Sequence, residues 1–479
     1  MFLLLCALSS PALAGALSYD DALRMAQEAN PDIEKARADV SSAEGSLMMT
    51  RGAWDPYLGA NAGQSVGVEK GRFQGVGFTT DSAVVNWSAD LSQNLPTGTS
   101  WSASWTNQRI AVDSEFAGLQ QTSLDFETRL SASLSQQLLK GHRFSYNMES
   151  VRNAEASLSI AEASLLQQRQ SVLSQVASSY WNLAYAAYAA DVAQESVDVA
   201  TEEKRVVEAM VAAGVMAPIE VTRVEAALAQ TRINLIEAKN TYASASDALA
   251  VQLGLPVGDL IEPLTPPGEV PMGVDISTER AVQSALEGNP ALQIQRVSVE
   301  NAELQLVNAQ HARLPTLALS ASAGLQGRVS DQDEDSDGTY GSAVGEMLSG
   351  DYRNRYVGMD FSMPLAMRVE RGRVQSRAAA VDRAEVELRQ QEAVVAQQVA
   401  SYVRTIETAR QKLQLAELNL RLADETLAAE KARQEAGRAI EKDVLEAQTN
   451  LDNAKVSLML SRTEFQQAVV ELLALQGKL

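Results

Sequence analysis

The chain has 479 residues, with 61 acidic against 40 basic side chains and a formal charge of −21. This balance argues against a nucleic-acid partner, because no basic face stands out to neutralise phosphates. The single cysteine, Cys6, lies in the N-terminal leader, and the only histidines are His142 and His311. Such low numbers exclude a cysteine nucleophile and a thiolate or His-rich metal site, so we expect no catalytic residue, metal or cofactor.

Residues 1–14 predict a secretory signal peptide. The apolar run at residues 2–8 is broken by Pro11, and Ala12-Leu13-Ala14 fits the small-x-small cleavage rule before Gly15. The run is too short to span a bilayer. No lysine or arginine precedes it, which departs from the usual leader pattern, but the segment still predicts secretion.

The mature sequence contains an internal twofold repeat. Asn30-Pro31 recurs as Asn289-Pro290, and the Gln-Val-Ala-Ser run at 175–178 recurs at 398–401. A segment with five prolines separates the two halves and predicts a linker. The predicted divisions are a first repeat at 15–255, the linker at 256–275 and a second repeat at 276–479.

Each half contains one long helical segment, at about 145–213 and 368–436. At 1.5 Å per residue, each would be about 100 Å long. Small and aliphatic residues recur every seven positions along both, which is typical of coiled-coil packing. An ordinary soluble bundle is the alternative, but it would not explain the segments between the helices. Shorter helices are predicted at about 18–53, 216–254, 277–313 and 440–477.

Six stretches between the helices alternate apolar and polar residues with a period of two, within about 57–138 and 316–365. Apolar-out and polar-in strands of about eleven residues suit an outer-membrane β-barrel. The link Pro96-Thr97-Gly98 predicts a tight turn, and long polar loops are predicted at about 69–83, 110–121 and 328–353. A soluble β-sandwich is the alternative. Three tryptophans are candidates for an aromatic girdle: Trp87, Trp101 and Trp105.

The last predicted loop carries Asp333, Asp335, Asp337 and Gly338, which match the first half of a calcium-loop pattern. Val344 stands where the pattern needs its closing glutamate. A solvated loop is therefore the favoured interpretation.

Several of these features together resemble the TolC-like outer-membrane efflux protein family. The resemblance rests on the duplicated Asn-Pro helix start, on Pro56 and Pro315 before the first strand of each half, and on the helix-turn-helix tip at 437–455. The tip at 214–226 resembles the family less closely. The resemblance implies an α+β membrane protein: a homotrimer in which long coiled-coil helices build a periplasmic tunnel, continuous with a transmembrane β-barrel in the cell outer membrane.

The family's function is also implied by the resemblance. Its members are not enzymes but passive exit ducts of tripartite efflux or type I secretion systems. They work in a lipid bilayer with a periplasmic adaptor, also called a membrane fusion protein, and an inner-membrane transporter of the RND or ABC type. The alternatives are a diffusion porin with a coiled-coil stalk and a secreted coiled-coil structural protein. Neither explains why tip, heptad pattern and strands recur in both halves.

The number of strands departs from the family pattern. The familiar member contributes four strands per protomer, whereas this sequence has six, the extra pair being 84–95 and 99–109. Three protomers with six strands each predict an 18-stranded barrel. An external hairpin is the alternative.

The resemblance also implies a gate at the tunnel tip. Asp443 and Glu446 match the acids that constrict the family's tunnel, and Glu220 matches them at the other tip, where Arg223 replaces the repeat's second acid. Rings of carboxylates favour cations but repel one another, so a closed tip needs counter-charges. An ordinary solvated helix face is the alternative. The candidate counter-charges are Arg223, Arg438 and Lys442.

Overall fold

The computed structural model describes residues 15–267, 277–332, 338–436 and 441–479. The predicted signal peptide, the end of the predicted linker, the three aspartates of the calcium-like loop and Arg438 lie outside these residues. The helices are α1 Tyr19–Ala29, α2 Pro31–Arg51, α3 Phe144–Asn147, α4 Glu149–Ala212, α5 Ile219–Leu253, α6 Thr278–Gly288, α7 Pro290–His311, α8 Tyr340–Ser349, α9 Arg368–Glu435 and α10 Glu441–Leu475. The strands are β1 Ala16–Leu17, β2 Tyr57–Phe73, β3 Val76–Leu95, β4 Thr99–Phe116, β5 Leu119–Gln137, β6 Glu262–Pro263, β7 Thr316–Ser330 and β8 Arg353–Ser362.

The described residues divide into two compact units. The helical unit takes them from Met1–Ser41, Ser159–Arg296 and Val386–Leu479, and the strand unit takes them from Ser42–Leu158 and Val297–Glu385. The two long predicted helices are present as α4 and α9, with 64 and 68 residues. No described helix combines the length and the apolar character needed to cross a bilayer.

The helical unit has two comparable hydrophobic cores. In the first, α1 and α5 pack against α4 around fully buried Tyr180, whose hydroxyl donates to the Leu17 carbonyl at 2.9 Å. Tyr19 stacks on Trp181 beside it, with ring centroids 4.6 Å apart. In the second, α6 and α10 pack against α9 around buried Ile406. Burying such large side chains contributes about 1.5–3 kcal/mol each.

The duplicated Asn-Pro pair has matching contacts at its two positions. Asn30 accepts from the Asp32 amide at 2.9 Å and donates to the Gln252 carbonyl at the end of α5, also at 2.9 Å. Asn289 accepts from the Ala291 amide at 3.0 Å and donates to the Leu475 carbonyl at the end of α10, also at 3.0 Å. Both asparagines are buried. Each asparagine therefore caps the N-terminus of one helix and donates a hydrogen bond to a carbonyl at the C-terminus of another.

The six predicted strands form one antiparallel sheet in the order β2-β3-β4-β5-β7-β8. Cross-strand partners place Ala89, Trp105, Leu130 and Leu325 in one row on one face. We call this the apolar face. The opposite polar face carries a row of serines, with Ser104 and Ser131 hydrogen-bonded at 2.8 Å. Among the described residues, β2 and β8 are each paired on one side only, so the sheet has two open edges.

The predicted long loops at 69–83 and 110–121 were wrong. The strands continue through these residues and end in two-residue turns at Gln74-Gly75 and Ala117-Gly118. All four turn residues have positive φ, as type I′ hairpins require. The alternation was hidden because the faces exchange polarity here: Val112 lies on the otherwise polar face and Asp113 on the apolar one. These turns mark the Gly118 end of the sheet, opposite the Gly98 end.

The predicted loop at 328–353 was also wrong in part, since it contains the end of β7 and the helix α8. Ala343 and Met347 of α8 are buried against the apolar face near the Gly118 end. A Cβ on Gly327 would lie 2.0 Å from the Ala343 carbonyl oxygen. The helix backbone therefore rests directly on a strand position without a side chain.

Replacing Asn289 tests the cap. Asn289→Ala removes the cap and leaves the Leu475 carbonyl without its donor, so we expect the free energy of unfolding to fall by about 2 kcal/mol. Asn289→Ser keeps a capping oxygen, but the serine side chain is too short to reach the Leu475 carbonyl. Its free energy of unfolding should therefore fall by about half as much. Urea unfolding of the detergent-solubilised protein, followed by circular dichroism, measures both; equal stability of the three proteins would contradict the assignment.

Candidate gate and partner-binding groove

The helices α4 and α10 are held side by side by polar contacts. Ser196 donates to Asp452 at 2.6 Å, and Lys455 lies 2.8 Å from Glu195. Because the residue numbers on one helix rise as those on the other fall, the helices are antiparallel. Two further contacts continue the series: Ser174 to Glu471 at 2.7 Å and Gln467 to Asn182 at 2.9 Å. Together they fix the register of α10 against α4.

A groove with a volume of about 670 Å³ lies where α4 and α9 end and α10 begins. We call it the tip groove. Its apolar wall on α4 consists of Val199, Val206 and Met210, which are 40%, 36% and 40% exposed. Apolar side chains this exposed on a helix of a monomer indicate a contact surface. The other lining residues include Glu195, Asp198, Glu202, Glu203, Lys431, Val444 and Leu445.

The tip groove has an acidic rim. Its lining has four carboxylates and one lysine, Lys431. The Glu202 carboxylate is bound by Arg205 at 2.5 Å, which lowers the Glu202 pKa through that hydrogen bond. The lining therefore favours a partner that offers apolar side chains flanked by basic ones.

The structure places two of the predicted gate residues together. Glu220 and Arg223 lie in the first turns of α5, three residues apart, with Arg223 Nη1 2.8 Å from Glu220 Oε2. The predicted counter-charge thus pairs with an acid on its own helix. A carboxylate in the first turn is also stabilised by the positive end of the helix dipole.

The other gate residues lie at the start of α10. Lys442 and Glu446 are exposed and Asp443 is half-buried, within the first two turns. Asp443 and Glu446 are three residues apart and share one face of the helix. The remaining predicted counter-charge, Arg438, lies outside the described residues.

The three girdle tryptophans share the apolar face but occupy two levels. Trp87 packs edge-on against Trp105 at 4.9 Å, and Tyr340 of α8 lies 5.9 Å from Trp87. Trp101 lies four residues nearer the Gly98 end and donates to Gln93 at 3.3 Å. The cluster of Trp87, Trp105 and Tyr340 sits beside α8, whereas Trp101 lies apart from it.

A buried polar pair beneath α8 was missed from the sequence. Thr128 donates to Asn107 at 2.7 Å and accepts from Trp105 at 3.0 Å, and the Tyr340 hydroxyl also bonds to Asn107. Both Asn107 and Thr128 are buried although they lie on the apolar face. The sequence does contain one indication of this pair. Thr128 is the one polar residue that interrupts the alternating apolar positions 124–134 of β5.

The two histidines meet where α7 ends. Their ring centroids are 5.4 Å apart, and Tyr146 lies 5.1 Å from His311. Burial lowers the pKa of His311, and Arg143 and His142 act in the same direction. Across the described ranges, no three His, Cys, Asp or Glu side chains are grouped so that they could hold a metal ion.

Comparison with known proteins supplies independent information. The family described as "Outer membrane efflux protein" matches residues 127–255 and 281–478. No curated protein matches the chain by sequence.

Solved structures establish the fold. The CmeC outer membrane channel of Campylobacter jejuni has 17% identity and a TM-score of 0.63, over 96% of this chain and 85% of that one. The outer membrane protein VceC of Vibrio cholerae has 16% identity and a TM-score of 0.64, over 96% of each chain. The open-state MtrE outer membrane channel of Neisseria gonorrhoeae has 16% identity and a TM-score of 0.63, over 96% and 88%.

Proposed function

The chain belongs to the outer membrane efflux protein family, and we propose that it is the exit duct of a tripartite efflux or type I secretion system. The family consists of outer-membrane channels, not of enzymes. The proposed duct is a homotrimer that receives cargo from an inner-membrane transporter of the RND or ABC type through a periplasmic adaptor. The observation that carries this proposal is a six-stranded sheet in each protomer whose two edge strands, β2 and β8, are each paired on one side only.

An isolated sheet with two open edges exposes unpaired backbone groups, which cannot be tolerated in a bilayer. Pairing β8 of one protomer with β2 of the next, around a threefold axis, satisfies both edges and closes a ring. The ring has 18 strands, since each protomer supplies six. The apolar face then contacts lipid and the serine-rich face lines the pore. In this arrangement α4 and α9 form the periplasmic tunnel.

The proposed domain organisation follows the twofold repeat. The first repeat at 15–255 and the second at 276–479 each contain one long helix, a paired short helix and an Asn-Pro junction. The matching contacts of Asn30 and Asn289 support this division. The linker between the repeats includes β6, which pairs in parallel with β1.

Single-particle electron microscopy of the detergent-purified protein tests the architecture. We expect a threefold particle with 18 strands in the barrel and a helical stalk about 100 Å long. Twelve strands would show that the β3–β4 hairpin lies outside the barrel. A monomer, or a particle without a barrel, would contradict the duct.

We propose that Asp443, Glu446 and Glu220 form the constriction at the tunnel tip, with Arg223, Arg438 and Lys442 as counter-charges. Three copies of each residue around the axis form rings of equal charge. Such rings stay together only while opposite charges bridge them. The observed ion pair between Glu220 and Arg223 supports a tip that balances its charges locally.

Removing the acids should open the gate. Asp443→Ala with Glu446→Ala leaves the counter-charges to repel one another, so single-channel conductance in planar bilayers should rise at least about threefold. A control pair, Glu407→Ala with Glu425→Ala, removes equal charge from α9, 28 and 10 residues before the end of this helix at Glu435, and should leave conductance unchanged. Equal conductance of the tip variant and the parent protein would exclude this gate. A parent protein that conducts fully without partners would favour the diffusion porin.

We further propose that the tip groove binds the periplasmic adaptor. Its exposed apolar wall and acidic rim fit an amphipathic helix with basic flanks. Binding there would contact α4, α9 and α10 together. A shift of these helices would move the gate residues at the start of α10.

Acidic substitutions in the groove should weaken adaptor binding. Val206→Glu with Met210→Glu adds two charges to an apolar wall that already faces carboxylates. We expect the dissociation constant for the purified cognate adaptor to rise at least about tenfold, or ~1.4 kcal/mol. Ile236→Glu changes a 69% exposed position of α5 that does not line the groove and serves as the control. Unchanged binding in the groove variant, measured by surface plasmon resonance, would exclude this site.

A further inference from the structure

On β8 the apolar residues of the apolar face end at Val357, toward the Gly118 end. On β7 the apolar positions from Leu317 to Leu325 are eight residues apart, and Phe361 and Arg353 of β8 pair with the first and last of them. Eight residue steps on a strand tilted by about 40° rise about 20 Å, close to the ~25 Å apolar band of outer-membrane barrels. The positions of β8 just beyond Val357 therefore lie near one boundary of the hydrocarbon.

Two arginines occupy the apolar face at this boundary. On β8 the exposed apolar positions Phe361, Met359 and Val357 are followed on the same face by Arg355 and Arg353, which pair with Ala323 and Leu325. Both arginines are exposed. In the part of the chain that the structure describes, neither guanidinium has a hydrogen-bond or ion-pair partner. The nearest acid along the chain, Asp351, accepts from Ser349 at 2.9 Å.

The aromatic cluster lies on the same face, in neighbouring strands of the sheet. Trp105 belongs to the row that ends at Arg353, and Trp87 pairs with Asn107, one apolar-face position further toward the Gly118 end. Indole and phenol rings prefer the headgroup region because one edge is apolar and the other polar. Beyond the tryptophans α8 covers the face, with Gly341, Gly345, Leu348 and Ser349 exposed. The half-buried Glu346 of α8 accepts from the Arg328 amide at 2.7 Å.

A neighbouring protomer cannot neutralise the two arginines. In the proposed barrel, β8 pairs with β2 of the next copy, and the apolar faces of the two strands must coincide. The positions of β2 on this face are Leu58, Ala60, Ala62, Gln64, Val66, Val68, Lys70 and Arg72. None is a carboxylate, whatever the register. The facing strand of the next protomer therefore supplies no counter-charge to either arginine.

We propose that Arg353 and Arg355 bind the phosphate groups of an anionic lipid in the outer leaflet of the outer membrane. Guanidinium groups bind phosphate through two parallel hydrogen bonds, and this geometry favours arginine over lysine. The trimer offers three such sites, one at each seam between protomers. This inference rests on the proposed barrel and its orientation.

Lipid retention by the purified trimer tests the site. Diphosphorylated lipid A is added to the delipidated protein, and bound lipid is counted by native mass spectrometry. We expect Arg353→Gln with Arg355→Gln to reduce retained lipid A at least about tenfold, and Arg353→Lys with Arg355→Lys to reduce it less. Arg129→Gln is the matched control, because Arg129 lies at the same level but on the polar face, bound to Gln326; it should retain lipid A as the parent does.

Three results would overturn the site. The double glutamine variant could retain lipid A as the parent protein does, or Arg129→Gln could lose as much as the double variant. Inorganic phosphate at the same concentration could also displace the lipid, which would show a simple anion site. Electron microscopy of each variant separates the two proposals: an intact 18-stranded trimer with unchanged lipid retention defeats only the lipid site, whereas the absence of a barrel defeats the duct itself.

Discussion

The parity of the antiparallel sheet is the constraint on which the rest of the strand unit depends. Successive side chains point to opposite faces, so a slip of one residue would move every apolar side chain to the serine-rich side. The register of six strands is fixed by five continuous ladders and by two-residue turns at Gln74-Gly75 and Ala117-Gly118. Once the parity is set, the face on which the tryptophans and the two β8 arginines lie is determined.

The strands could be predicted from the sequence only where the two faces differ in polarity, so that apolar and polar residues alternate along the strand. Leu130, Ala132 and Leu134 alternate cleanly with serines, and all six strands were found in such regions. Toward the Gly118 end the two faces exchange polarity, so the strands there were taken for loops. The helix α8 has only ten residues, two of them glycine at 341 and 345, and carries no extended periodic signal. Its position depends on contact with Gly327, which is distant in sequence.

The candidate sites differ in the same way. The proposed gate residues Glu220 and Arg223 are three residues apart, and this local spacing is enough to predict from the sequence that their side chains meet on one helix. The tip groove could not be predicted from the sequence, because the stretches of α4, α9 and α10 that line it show no distinctive sequence pattern. Only the antiparallel contacts between α4 and α10, Ser196 with Asp452 and Glu195 with Lys455, bring Val206 and Met210 next to Val444. Long-range register thus determines the partner surface, and local spacing determines the gate.

Weak pairing at the tip suits the proposed passive duct. Exposed ion pairs such as that between Glu220 and Arg223 contribute about 0.2–1 kcal/mol each. In the proposed trimer, three pairs of this strength between neighbouring helix tips would bias a closed tip by about 2 kcal/mol, or roughly thirtyfold in population. An adaptor that binds the open arrangement a few hundred times more tightly would reverse this bias without an internal energy source. A strongly buried gate would require far more binding energy, so the exposure of these charges is itself part of how the tip can be opened from outside.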